Sequence, residues 1–289
     1  MSARGPDWTR WVQSLPNLTR DLLTEWRLDV DGPPSNGYCS LVQPVRTWDG
    51  ASAVLKIGFP DQESEHEHLA LRHWAGNGAV RLLSADPHRR ALLLERLDTT
   101  DLRAVSDLEA CEIVAGLYGR LHVAPLPRLR TLQSYIERWN AHLTALPRNA
   151  PIPRRLVEQA ISLGRELLND PGENRVIHGD LHYENVLAGI REPWLVIDPK
   201  PINGDPHYEI APMLWNRWDE LDPHAVRDGV RHRFYTLVDT AGFDEDRARG
   251  WVVVRMIHNA MWSLADRDAD PAWKAWLMTC VVVAKAVQD

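Results

Sequence analysis

Residues 176–187 read "VIHGDLHYENVL", setting two histidines, an aspartate, a glutamate and an asparagine between two apolar ends. Three chemistries use such residues at such spacing. His178, Asp180 and His182 alternate as metal ligands can on a strand or loop. Polar side chains in a turn also satisfy local backbone groups and need do nothing more. The third chemistry is phosphoryl transfer, in which an aspartate takes the acceptor hydroxyl's proton and an asparagine further along binds Mg²⁺. His178, Asp180 and Asn185 fit that template, H-x-D-x-x-x-x-N.

Phosphoryl transfer makes further demands, and the order of the chain meets them. A second metal-binding acid belongs on a turn after a short β element, and "WLVIDP" supplies Asp198. A lysine on an upstream strand must hold the nucleotide's α and β phosphates, and "AVLKI" supplies Lys56. A helix acid must hold that lysine; Glu67 is well placed, with Glu63 and Glu65 as rivals. A metal-dependent hydrolase has no use for Lys56 or Asn185. It also wants further histidines at ligand spacing, whereas His66, His68 and His73 form no HExxH and read as a polar surface. The expected cofactors are therefore ATP and Mg²⁺. Asp180, Asn185 and Lys56 are the expected catalytic residues, and Asn185 and Asp198 the metal ligands.

These residues need elements to position them. "GYCSLVQPVRT" and "ASAVLKIGF" alternate as strands around an Asp-Gly turn at 49–50. Val54 and Lys56 share one face of the second strand, and Leu55 and Ile57 the other. "DQESEHEHLALRHWAG" follows as a helix with Asp61 as its N-cap. A second hairpin joins "AVRLLSA" to "ALLLERL". Past Leu97 the period becomes helical, as in "SDLEACEIVAGLYGRLH", "TLQSYIERWNAHLTAL" and "RRLVEQAISLGRELLN". Only "RVIH" and "WLVID" interrupt it with β character. The expectation is an α+β protein of two lobes. Residues 1–97 form a small antiparallel sheet lobe with one helix that binds nucleotide; residues 98–289 form a larger, mainly helical lobe for catalysis and substrate.

On these motifs the chain resembles the aminoglycoside phosphotransferase-like kinases, whose fold is bilobal and protein-kinase-like. "HGDLHYENVL", "VIDPKPINGDPHYEIAPMLWNR", "VLKIGFP" and "ALLLERLD" resemble in particular the streptomycin 6-phosphotransferase and hydroxyurea phosphotransferase subgroup, most clearly over residues 50–220. The resemblance implies that backbone groups of the Glu95–Leu97 stretch bind adenine. The protein-kinase glycine-rich loop is missing, and Asn36 and Gly37, flanked by Ser35 and Tyr38, are expected to cover the phosphates in its place. It also implies an aminoglycoside hydroxyl, such as one on streptomycin, as acceptor. Lys200 suits neutralisation of the transferred phosphate equally well as a structural role.

A net charge of −7 argues against nucleic acid as a partner and is compatible with a neutral or cationic small molecule bearing a free hydroxyl. The longest apolar run, "WLMTCVVVAKAV", is too short to span a bilayer. Cys39, Cys111 and Cys280 form no disulfide or CxxC pattern, and the start has no signal-peptide core, so a cytoplasmic protein without a membrane partner is expected. Trp215, Trp218, Trp251, Trp262, Trp273 and Trp276 on the later helices read as core, with stacking on a sugar ring as the alternative. Glu209, Asp219, Glu220, Asp266, Asp268 and Asp270 are solvated helix ends or recognise cationic groups on the acceptor. Rival functions are a kinase of a sugar, amino sugar or other metabolite, a nucleotide-binding module without catalysis, and a metal-dependent hydrolase.

Overall fold

The first helix, α1 (Pro6–Glu25), starts on Pro6, where a missing N–H costs nothing, and carries a second proline, Pro16, in its interior. The sequence pattern predicts one helix in this region, and α1 is a second. Pro16 removes a helical hydrogen bond and reads as a breaker, which conceals the helix. Its Leu15, Leu18, Leu22 and Leu23 repay that loss by packing onto a sheet.

That sheet comprises β1 (Asp29–Val30), β2 (Ser35–Asn36), β3 (Ser40–Arg46) and β4 (Ser52–Gly58), then, after α2 (Glu67–Trp74), β5 (Leu82–Asp86) and β6 (Ala91–Glu95). Its order is β1-β3-β4-β6-β5 with β2 also on β3, and every pairing is antiparallel. Ala53, Leu55 and Ile57 of the central β4 meet Val45, Ala91 and Leu93 on the face that α1 covers. Side chains alternate along a strand, so Lys56, opposite Val42 and Leu92, lies on the other face.

The chain continues through α3 (Asp107–Leu121), α4 (Leu132–Ala145), α5 (Arg154–Asn169), β7 (Arg175–Ile177), β8 (Val186–Ala188), β9 (Trp194–Val196) and β10 (Ile202–Gly204). It closes with α6 (Ala211–Trp215), α7 (Val226–Ala241), α8 (Glu245–Ala265) and α9 (Trp273–Ala286). β7 pairs antiparallel with β10, Ile177 opposite Ile202. Asn203 of β10 grips Leu126, its side chain bonding both the N–H (3.0 Å) and the carbonyl (2.7 Å). Among the described residues no helix is long and apolar enough to cross a membrane.

This computed structural model describes residues 5–170, 172–265 and 271–288. They fall into two units: the chain up to Thr99 together with Ala188–Lys200, and the remainder. The segment 188–200, which a division at 97/98 leaves with the later part, is tied to the first unit by backbone and charge. Val80 N–H donates to Val196 and Val196 N–H to Gly78, each at 2.9 Å. Arg191 donates to the carbonyls of Gly76 (2.6 Å) and Ala79 (2.5 Å) and pairs with Glu95 at 2.7 Å.

Candidate active site

In the first unit four charged side chains form one cluster. β4 carries Lys56 inward, 9% exposed, and α2 opens with Glu67, 5% exposed. Lys56 Nζ donates to both Glu67 oxygens at 2.7 and 2.8 Å, and to Asp198 Oδ1 at 2.5 Å. Lys200 Nζ reaches the same Asp198 Oδ1 at 2.9 Å. Asp198 itself has φ +56°, a left-handed conformation that L-residues adopt at a cost and that turns up where surrounding structure over-determines it. Of the rival acids, Glu65 pairs instead with Arg90 at 3.6 Å, and Glu63 is exposed. Asp61 caps the turn before α2, accepting from the Glu63 and Ser64 N–H groups at 2.7 and 2.8 Å, so the helix begins later than its sequence suggests.

Burial works against each charge in this cluster, and the partners decide the outcome. For Lys56 burial is outweighed by Asp198 and Glu67, and the ammonium's pKa is pushed up. Burial likewise opposes the Asp198 carboxylate, but Lys56 and Lys200 hold it well below the usual carboxylate range. Glu67 goes the other way: burial, reinforced by Asp198, raises it despite Lys56. Two ammoniums and two carboxyls thus share one largely buried patch, and each ammonium is held there by short bonds to a carboxyl.

The second unit builds the loop after β7. Glu209 is fully buried, and its carboxylate accepts the N–H of His178 and of Gly179, each at 2.7 Å. Arg255 of α8 donates to the Gly179 carbonyl at 2.5 Å while its guanidinium lies 4.5 Å from the Tyr208 ring centroid. Gly179 has φ +83°, which a side chain would resist. Gly179, the residue just before Asp180, is therefore held at both its N–H and its carbonyl. Asp180 N–H donates to His178 Nδ1 at 3.2 Å. Asn185 Nδ2 donates back to the Asp180 carbonyl at 2.8 Å, which leaves the amide oxygen as the ligand end. His182 caps the short turn Tyr183–Asn185 through the Glu184 N–H at 3.4 Å. Beneath it, Tyr183 donates to Asp107 at 2.5 Å, and Arg233, with no exposed surface, donates to the other Asp107 oxygen at 2.7 Å.

Glu209 is neither the solvated helix end nor the substrate-recognising acid that its sequence suggests. Burial raises a carboxyl, but His122, 3.9 Å away, together with His178 and the Gly179 N–H, lowers Glu209 overall. The available signal was a lone acid ahead of "IAPMLW", just as Arg255 is a lone cation in "WVVVRMIHNAMW". Asp219 and Glu220 are exposed, and Asp266, Asp268 and Asp270 lie outside the described residues. Trp251 is core, donating to Asp205 at 2.8 Å, whereas Trp262 is 36% exposed against Trp139. The Glu95 carboxylate belongs to Arg191, and Leu97 is half-buried two residues beyond. Asn36 and Gly37 form an exposed hairpin closed by the Gly37 N–H to Ser40 carbonyl bond of 2.9 Å. His178, Asp180 and His182 do not converge as metal ligands: among the described residues there is no cluster of three or more His, Cys, Asp or Glu suited to a metal.

A lysine clamped by a helix acid, and an aspartate–asparagine loop on a rigid support, belong to the kinase class of phosphotransferases. The family described as aminoglycoside/hydroxyurea antibiotic resistance kinase matches residues 25–267, and the chain belongs to that family. It is 43% identical to a streptomycin 6-kinase of Streptomyces glaucescens over 93% of this chain and 90% of that one. It is 40% identical to a hydroxyurea phosphotransferase of Kitasatospora aureofaciens over 89% and 76% of the two chains. The crystal structure of aminoglycoside phosphotransferase APH(4)-Ia shares the fold, with TM-score 0.65 and 18% identity over 94% of this chain and 99% of that one.

Proposed function

We propose that this chain transfers the terminal phosphoryl group of ATP to a hydroxyl of streptomycin or a related aminocyclitol. The observation that carries the reading is the 43% identity to a streptomycin 6-kinase along nearly the whole chain. Lys56, held by Glu67, binds the α and β phosphates. Asp180 orients the acceptor hydroxyl and takes its proton as the oxygen attacks phosphorus. The bond from phosphorus to the bridging oxygen breaks, and its electron pair leaves on ADP. The transition state is loose, so positioning and charge neutralisation supply most of the rate.

The residues present fit Mg²⁺. The Asp198 carboxylate stays ionised, and the Asn185 amide oxygen is the end its hydrogen bond leaves over; both are hard oxygen donors of the kind Mg²⁺ takes alongside phosphates. Held by such donors, the ion would supply charge neutralisation across the phosphate tail.

A panel of acceptors, read by ADP release and by the mass of the product, tests the proposal. Streptomycin should gain one phosphate, and an inert streptomycin beside a turned-over sugar would overturn it. Hydroxyurea belongs in the panel as the second reading, because of the 40% identity to a hydroxyurea phosphotransferase. Acceptor pockets vary within one fold, so only the panel separates them.

Glu67→Gln removes half of the Lys56 clamp while Asp198 keeps the ammonium paired. Loss of a charge-assisted hydrogen bond is worth about 1.5–3 kcal/mol. The expected result is a fall of about 10- to 100-fold in kcat/KM for ATP, with KM for the acceptor little changed. Initial rates over a grid of both substrates measure it.

A further inference from the structure

Asp198 Oδ1 is claimed by two ammoniums, Lys56 at 2.5 Å and Lys200 at 2.9 Å. Their holds are unequal. Lys56 has a second, two-oxygen partner in Glu67, whereas the hydrogen bonds and ion pairs of Lys200 among the described residues all go to Asp198, the other being its carbonyl at 3.4 Å. The Lys200 side chain is only 23% exposed, so an ammonium deprived of that carboxylate is left largely dry and must find another anion. Lys200 is therefore the ammonium that would yield first if a hard divalent cation took the Asp198 carboxylate. The anion that arrives with the cation is the nucleotide's phosphate tail. Lys56 stays clamped and keeps the inner phosphates; the terminal group falls to Lys200.

We propose that Lys200 is a resting counter-ion of Asp198 that exchanges this carboxylate for the terminal phosphoryl group when MgATP binds. It rests on the ATP- and Mg²⁺-dependent reading above and adds a second cation on the group being transferred. There the ammonium neutralises charge on the phosphoryl oxygens as the bridging bond breaks. Against the metal it is a competitor; against the transition state it is a stabiliser.

The two roles separate in calorimetry on the full chain, using ADP and a non-hydrolysable ATP analogue titrated with Mg²⁺ at several concentrations. ADP has no terminal group to contact, so it reports competition alone. Lys200→Met should bind ADP at a lower Mg²⁺ concentration than wild type, by roughly threefold or more, because no ammonium has to leave Asp198. The same variant should lose about tenfold in its preference for the ATP analogue over ADP, as befits one charge-assisted hydrogen bond. Lys200→Arg, which keeps the charge, should restore much of that preference. An unchanged Mg²⁺ midpoint together with an unchanged analogue-to-ADP ratio in Lys200→Met overturns the role of Lys200. Asp198→Ala in the same titrations keeps the failures apart. If it retains wild-type Mg²⁺ dependence, the metal reading of Asp198 fails; if it loses that dependence while Lys200→Met matches wild type, only Lys200 has been misassigned.

Discussion

Asp180→Asn should lower kcat by about 10²- to 10⁴-fold while leaving MgATP affinity near wild type, the range expected when a positioned general base is removed. The substitution keeps the shape of the side chain, and the groups that hold the loop act on neighbouring atoms. Glu209 binds the N–H groups of His178 and Gly179, Arg255 binds the Gly179 carbonyl, and Asn185 binds the Asp180 carbonyl. None of these bonds depends on the carboxylate of Asp180, so the backbone should not move. Single-turnover rates with the true acceptor, beside nucleotide calorimetry, give both numbers. Turnover within tenfold of wild type would remove Asp180 from the chemistry.

Glu209→Gln is the second large effect, and it acts at one remove. Two N–H groups donate to the wild-type carboxylate at 2.7 Å each. A glutamine offers one acceptor oxygen and sets its own NH₂ against the other N–H, in a fully buried place. An unmet buried donor costs about 1–3 kcal/mol, which should appear as a lower Tm. Because the peptide before Asp180 loosens, kcat should also fall by about 10²-fold, the penalty of a displacement near 1 Å at a reacting group. The pH dependence marks this group. Its folded-state pKa lies below the ordinary carboxyl value. It therefore stabilises the wild type above that value, and the contribution is lost as pH falls through the folded-state pKa. The Tm gap between wild type and Glu209→Gln should narrow on acidification. A constant gap from neutral pH to pH 3 would show that Glu209 is not the charged anchor described here.

The parts of the site that sequence shows are those whose chemistry is written in side-chain type and order. Lys56 on a strand, an acid on the next helix, and the Asp180–Asn185 spacing are visible because each role demands one residue type on one kind of element. The support beneath them is not visible in that way. Glu209 and Arg255 bind backbone atoms, which every residue possesses, so their partners leave no trace in the sequence; only an isolated charge in an apolar run betrays them. Likewise α1 carries a proline where a helix should have none, and its leucines outweigh that loss only through a sheet formed from residues well beyond it. The strands β3 to β6 are legible from alternation and turn residues, since both are local properties, whereas β2, β8 and β10, two or three residues long, are too short to alternate.

The first unit is completed from a distance along the chain. Glu95, the carbonyls of Gly76 and Ala79, and the ammonium of Lys56 find their partners on Arg191 and Asp198. During synthesis these groups emerge from the ribosome 96 to 142 residues ahead of those partners, with Lys56 alone having Glu67 close by in the meantime. The early sheet must wait, partly unsatisfied, until most of the protein has been made, and its final locking is a late, non-local event in folding.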